Sequence, residues 1–371
     1  MAVSIVSTDD PADVRRALNL IGGIDRFVKS GDRVVIKPNI CAGKPSDTGA
    51  VTDPAVVLEV CKVVSECGGQ PVVCESPIYP FPSSRVFRRA GYDDFENRYG
   101  YPLLDIDSSP SKRVRIPEGV AIDHAVISEE VLKCDVLINV PVLKTHLQTT
   151  VSLGLKNLKG VVVGKQKHLI HLSGLNEGIV DLNTLVKSHI TIIDGIIGME
   201  GGGGPTNGRP VRMNVIVASD NVVEADSTGV RIMGGDPKAV EHIRLAADRG
   251  LGVLDGFDIY GAGLEAVSRK LDLPKRPDFN RMLISGMAIR IWDAFRRPAM
   301  KVLRGEQVER RPRLGELVID HDLCDGCRLC LEACPVGALS FTERLECDRK
   351  TCLLCFCCAE VCPKGALSKE T

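Results

Sequence analysis

Aromatic side chains make up only 4 % of this 371-residue chain, which holds a single tryptophan. The formal charge is nearly balanced at −1, and no low-complexity tract appears, which argues against a general nucleic-acid binder. No apolar run approaches the roughly 18–20 residues needed to cross a bilayer. No apolar, cleavable segment opens the chain, so an exported disulfide framework is not expected and a reducing cytoplasm is. Apolar residues at 44 % and charged residues at 26 % describe an ordinary globular protein with room for a large core.

Cysteine, by contrast, is plentiful: there are fifteen. Eight follow one pattern written twice, Cys324-x2-Cys327-x2-Cys330-x3-Cys334-Pro335 and Cys352-x2-Cys355-x2-Cys358-x3-Cys362-Pro363. The flanks repeat as well, Gly337-Ala338-Leu339-Ser340 answering to Gly365-Ala366-Leu367-Ser368. Two-residue gaps wrap three thiolates around one iron–sulfur cubane, and the cysteine before proline reaches the neighbouring cluster. The spacing therefore predicts two 4Fe–4S clusters. Cys324, Cys327, Cys330 and Cys362 would hold the first; Cys352, Cys355, Cys358 and Cys334 would hold the second. Structural zinc prefers separated Cys-x2-Cys pairs and suits a triple-plus-one repeat poorly. Cys347 and Cys357 lie outside the pattern and are expected to pack near the clusters. Oxygen-labile clusters point to an anaerobic setting. This tail, from about residue 316, resembles the bacterial two-cluster ferredoxin module.

Before it, short β-branched runs alternate with helical patterns. Strands are expected at Val3–Val6, Arg33–Lys37, Pro71–Cys74, Asp135–Val140, Ile190–Asp194 and Asn214–Ala218. Asp53 and Pro54 form an N-cap and first-turn pair for a helix over Ala55–Cys67, stopped by Gly68. Further helices are expected at Val222–Met233 and Pro237–Asp248. Alternation of this kind predicts an α/β fold, a mostly parallel sheet flanked by helices, followed by the small α+β ferredoxin-like domain. The remaining cysteines (Cys41, Cys61, Cys67, Cys74 and Cys134) read as small packing residues.

Ligands in such sheets sit beyond the carboxyl ends of the strands. Three expected strand exits carry polar residues there: Asn39 after Lys37, Lys144-Thr145-His146, and Glu200. From Val136 to Asn176 there is no acidic residue, while Lys144, Lys156, Lys159, Lys165 and Lys167 fall there with His146, His168 and His171. A one-signed run in a nearly neutral chain makes a local positive field. It suits an anion pocket or a basic patch; without aromatic stacking residues it suits nucleic acid poorly. Gly160-x3-Gly164-Lys165 lacks the spacing and the hydroxyl of a phosphate loop. Gly201–Gly204 is expected to form a mobile loop, a backbone-amide cradle or a plain turn.

Lys37-Pro38-Asn39, Thr52-Asp53-Pro54, Lys144-Thr145-His146, Lys156-Asn157-x2-Gly160, Asp194-x4-Met199-Glu200-Gly201 and Asp226 resemble, in this order, the domain of unknown function 362 family. The resemblance covers about residues 3–265. It implies an α/β domain with a polar site built from these lysines, the histidine and the asparagines, and no particular reaction. The expected organisation is an α/β domain over 1–275, a basic amphipathic linker over 276–315 and the ferredoxin domain over 316–371. Segment 281–313 holds nine Arg or Lys against three acids, with Trp292 and Phe295 among its apolar residues. It reads as an interdomain helix or as a peripheral contact with an acidic partner or membrane.

The functional expectation is a reductase or redox-assisted enzyme fed by an external electron donor or acceptor protein. Lys37, Asn39, Lys156 and Asn157 would bind an anionic small molecule, with His146, Lys144 and Glu200 as catalytic groups. The alternative is a non-catalytic electron carrier, or a docking or assembly protein for a partner redox enzyme. A separate metal on His146, Asp194 and Glu200 is a third reading.

Overall fold

The computed structural model describes residues 2–274 and 317–369. The basic segment at 276–315, with Trp292 and Phe295, lies outside the described residues, and both readings of it lie there too.

Twelve strands precede that segment: β1 (Ala2–Ser7), β2 (Arg33–Pro38), β3 (Gln70–Glu75), β4 (Leu103–Asp105), β5 (Ser111–Arg115), β6 (His124–Ser128), β7 (Val136–Val140), β8 (Val142–His146), β9 (Thr150–Ser152), β10 (Ile190–Glu200), β11 (Arg209–Ser219) and β12 (Asp258–Gly261). Ten of them form one sheet in the order β12-β1-β11-β10-β7-β2-β3-β4, with β8 and β9 branching from β10. Pairing is parallel across β4, β3, β2, β7 and β10; β11 runs against both β10 and β1. The sheet is mostly parallel, as the alternation of strands and helices requires.

Alternate residues of β2 explain why its strands read as unbroken apolar runs. Val34 and Ile36 face one core with Val56, Val60 and Val64 of the helix Pro54–Glu66. Val35 faces the other with Ile179 and Leu182 of the helix Leu175–Leu185 and Val230 of the helix Val222–Ile232. Both faces are covered, so neither side of the strand can be polar. The helix Pro54–Glu66 starts as its sequence dictates: the Asp53 carboxylate accepts from the Ala55 amide, and Pro54 opens the first turn.

One expected strand end is displaced. β10 does not stop at Asp194; it runs through a bulge between Gly195 and Ile197 to Glu200, paired with β11 to its tip. That extension carries Glu200 away from the other strand exits.

The C-terminal domain is built from two similar halves. β13 (Leu317–Ile319) pairs with β16 (Leu367–Lys369), and β14 (Leu339–Phe341) with β15 (Leu345–Cys347), all antiparallel. Short helices at Leu329–Ala333 and Cys357–Val361 follow the two cysteine loops. Its core of Leu339, Leu345, Phe356 and Leu367 also takes in Leu147 from the large domain. No helix among the described residues is long and apolar enough to cross a membrane.

Candidate functional site

The cysteines fall into two sets around two small cavities. Cys324, Cys327, Cys330 and Cys362 line one; Cys334, Cys352, Cys355 and Cys358 line the other. The same backbone geometry recurs in both loops: positive φ at Gly326 and Arg328, and again at Leu354 and Phe356. Three of those four are not glycine, so the loops hold an uncommon conformation that surrounding contacts must enforce. An N–H···S bond also repeats, from Ala338 to Cys334 Sγ at 3.2 Å and from Ala366 to Cys362 Sγ at 3.3 Å. Among the described residues no three Cys, His, Asp or Glu side chains converge as a single metal ion would need. Four thiols spread around a cavity suit a cubane, whose iron corners stand apart.

Next to the second set lies a cavity of about 60 Å³ formed by both domains. Its large-domain wall carries Lys37, Lys144, Lys156, Lys159 and Lys167, with Glu75, Asn39, Asn157, His168 and His171; Cys357 and Glu360 close it from the ferredoxin side. Lys37 and Glu75 end neighbouring parallel strands, which places them beyond the carboxyl edge of the sheet.

Most of the wall is internally bonded. Lys37 Nζ donates to Glu75 Oε2 at 2.9 Å, to the Pro38 carbonyl at 2.6 Å and to Asn157 Oδ1 at 3.3 Å. Lys144 donates to Asn39 Oδ1 and the Ala50 carbonyl, both at 2.6 Å, and lies 3.2 Å from Cys41 Sγ. With no exposed surface, Lys144 is a strut tying loops together rather than a free catalytic cation. Asn157 accepts from Asn39 Nδ2 at 2.9 Å and donates to Asn139 Oδ1 at 2.8 Å. Lys167 donates to the Ser76 carbonyl at 2.8 Å and to the Ser76 hydroxyl and Pro77 carbonyl. The Lys156 side chain has no hydrogen-bond partner among the described residues although the residue is only 7 % exposed. Burial and then the neighbouring Lys159 lower its pKa to about 7; burial lowers that of Lys167 to about 8.

The acids quoted in the family resemblance act from behind this wall. Asp226 accepts from the amides of Gly154 at 2.6 Å and Leu155 at 2.9 Å, fixing the short helix that presents Lys156 and Asn157. Asp194 accepts from the Asp53 amide at 2.9 Å, and Thr52 bonds both the Asn39 amide and the Val140 carbonyl. Gly160 is required by close approach: a Cβ there would collide with Glu75 and lie 2.7 Å from Lys37 Cε.

His146 is placed differently from the expectation. It is fully buried behind Glu360 and does not line the cavity. Its Nδ1 accepts from the Gln148 and Thr149 amides at 3.1 and 3.3 Å, which leaves the proton on Nε2. Nε2 lies 3.1 Å from Glu360 Oε1, poorly aligned for a hydrogen bond. Burial and then Lys156 hold the ring neutral, with a pKa of about 3. Glu360 also lies 3.7 Å from His171, which contacts Lys159. Burial would raise the Glu360 pKa, yet His171, Lys159 and Lys156 hold it well below the usual range. Glu200 is outside the site altogether, paired with Arg209 at 3.3 Å and accepting from the Asp272 amide. His146, Asp194 and Glu200 therefore do not form a metal site.

Sequence reasoning missed Glu75 and Glu360. Glu75 directly ends a strand, a signal that was available. Glu360 sits inside the cysteine repeat, where its spacing partner Glu332 masks it. Of the alternatives for the Gly201–Gly204 run, the structure shows a turn, bonded to the large domain and leading to a contact with the ferredoxin domain. Thr145 Oγ1 donates to the Gly201 carbonyl and the Leu147 amide to that of Gly204, while Asn207 Nδ2 donates to the Cys362 carbonyl at 2.8 Å. Gln148 Nε2 donates to the Cys355 carbonyl at 3.1 Å, completing the grip on the second loop.

Two family models match the chain. The family model described as "Domain of unknown function (DUF362)" matches residues 34–231, and that of a 4Fe-4S dicluster domain matches 301–366. The thylakoid-associated protein sll1697 of Synechocystis is 34 % identical over 253 residues, 65 % of this chain and 75 % of that protein. The lactate racemase apoprotein from Thermoanaerobacterium thermosaccharolyticum aligns at 14 % identity with a TM-score of 0.38. That alignment takes in 59 % of this chain and 54 % of the racemase, too slight a likeness to carry an argument.

Proposed function

The chain belongs to the DUF362 family and ends in a 4Fe–4S dicluster ferredoxin domain, and from that premise we propose an iron–sulfur protein that exchanges electrons with an anion held in the shared cavity. Two 4Fe–4S clusters on the two cysteine sets would supply single electrons there. One observation carries the reading: Cys357 and Glu360, beside the ligand candidates Cys355, Cys358 and Cys362, wall the same cavity as the lysines of the large domain.

The residues divide the work by position. Lys156 faces the cavity with its donors unused and would hold the negative charge of a substrate. With a pKa near neutrality it is also suited to give a proton as charge develops. His146 does not line the cavity; standing 3.1 Å behind Glu360, it would act as a positioning residue for that wall residue of the second cysteine loop. Asn39 and Asn157 keep the lysine wall in register. An external redox protein would exchange electrons with the ferredoxin domain.

Anaerobic titration tests the reading. Reduced protein is mixed in turn with nitrite, sulfite, bicarbonate and pyruvate while the visible absorption of the clusters is followed. At least one anion should reoxidise the protein, more slowly in Lys156→Met. The reading fails if no small molecule does so and electron exchange occurs only with partner proteins, which is the behaviour of a carrier. Iron and sulfide near eight each per chain are expected on metal analysis; zinc in their place removes the redox reading.

A further inference from the structure

The charge inventory of the shared cavity narrows what it can hold. Counting side chains alone, with every lysine protonated, five lysines line it against two carboxylates, Glu75 and Glu360, an excess of three positive charges. Asp107, 3.8 Å from Lys167, offsets one more and leaves two. Like charges confined in a desolvated space repel strongly unless an anion joins them.

The hydrogen-bond inventory says where that anion sits. Lys37, Lys144 and Lys167 each spend their three N–H donors on protein acceptors. Among the described residues Lys156 spends none, and Lys159 makes one side-chain hydrogen bond, to His171. The Ser152 hydroxyl and the His168 ring also line the space without a hydrogen bond to protein among the described residues. A volume of about 60 Å³ admits about four to six waters, at roughly 10–15 Å³ each on this measure. An ion of similar size has about five heavy atoms.

We propose that the cavity binds a compact, doubly charged oxyanion of the sulfate, sulfite or phosphate kind on the ammonium groups of Lys156 and Lys159. This rests on the anion-site reading above and makes it specific. Two charges neutralise the residual excess, and three or four oxygens on one central atom supply an acceptor for each unused donor. A monocarboxylate of the same size satisfies half of the charge and fewer of the donors.

The test is calorimetric titration of the full-length, cluster-loaded protein under anaerobic conditions at pH 7 and constant ionic strength. The probes are sulfate and phosphate against formate and acetate. The dianions should bind at least about tenfold more tightly. Lys156→Met should weaken sulfate by at least about tenfold, with iron content and circular dichroism unchanged, while Lys156→Arg keeps most of the affinity. If formate or acetate binds as tightly as sulfate through Lys156, the anion site stands and this proposal falls. If no probe binds, both fall. Sulfate binding that ignores Lys156→Met also overturns the assignment, and the wild-type comparison decides even if the variant does not fold.

Discussion

Glu332 and Glu360 occupy the same place in the two halves of the ferredoxin domain, 28 residues apart, yet Glu332 is exposed and Glu360 is only 4 % exposed. The contrast extends through both cysteine loops. Arg328 is exposed where its counterpart Phe356 is buried, and Cys327 is exposed where Cys355 is half-buried. The second loop is gripped by Gln148, Thr206 and Asn207 and inserts Glu360 among His146, His171 and Lys159. Among the described residues the first loop is exposed at Cys327 and Arg328, while the second forms a wall of the polar cavity. Among the described residues only one copy of the duplicated motif packs against the large domain.

The most severe way to break this comparison is to remove the paired glutamates one at a time. Glu360→Ala strands Lys159 and Lys156 without their buried counter-charge and should cost about 3–5 kcal/mol. Glu332→Ala should stay within about 0.5 kcal/mol, as exposed substitutions do. Anaerobic urea denaturation of the cluster-loaded proteins measures both; equal losses would mean that the second loop is not docked as described.

A milder test perturbs only the wall facing the second loop. Gly160→Ala drives a methyl group against the Lys37–Glu75 pair and should cost about 1–3 kcal/mol, read as a lowered melting temperature. The absorption of the clusters should be unchanged, since neither cysteine loop is touched.

Titration sharpens the comparison further. Lys156 and Lys167 release protons at about 7 and about 8 in the folded cavity, against an ordinary 10.5. Between those values the unfolded chain holds more protons than the folded one, so stability should rise with pH across that window. Sulfate affinity should move the opposite way, falling as pH rises past about 7–8, because the cavity loses the charge that attracts it. Calorimetry at a series of pH values checks this; an affinity flat from pH 6.5 to 9 contradicts the assignment. The smallest effect is expected from Glu200→Gln, which loosens a largely exposed pair with Arg209 and should cost less than about 1 kcal/mol by thermal melting.

Much of this was legible in the chain. The strand Arg33–Lys37 and the helix beginning at Asp53-Pro54 follow from β-branched runs and capping chemistry, which are local. Lys37 and Asn39 leave a parallel strand at the carboxyl edge of the sheet, and the short helix Gly154–Asn157, fixed by Asp226, brings Lys156 and Asn157 to the same place. Glu200 does not join them, since pairing between β10 and β11 prolongs a strand whose own residues give no sign of where it ends. His146 was expected in the site as a catalytic group and lies behind its wall: nothing in a Lys-Thr-His run says that a carboxylate from 214 positions downstream will stand in front of the ring.

The cysteine spacing, the alternating α/β pattern and the acid-free stretch were settled by the order of residues, because thiolate geometry, side-chain periodicity and charge of one sign are short-range properties. Which copy of the loop meets the large domain, and which lysine is left with unused donors, was decided only on folding. Burial and hydrogen-bond satisfaction depend on partners remote in the chain, and identical residues such as Glu332 and Glu360 acquire different physics from what surrounds them.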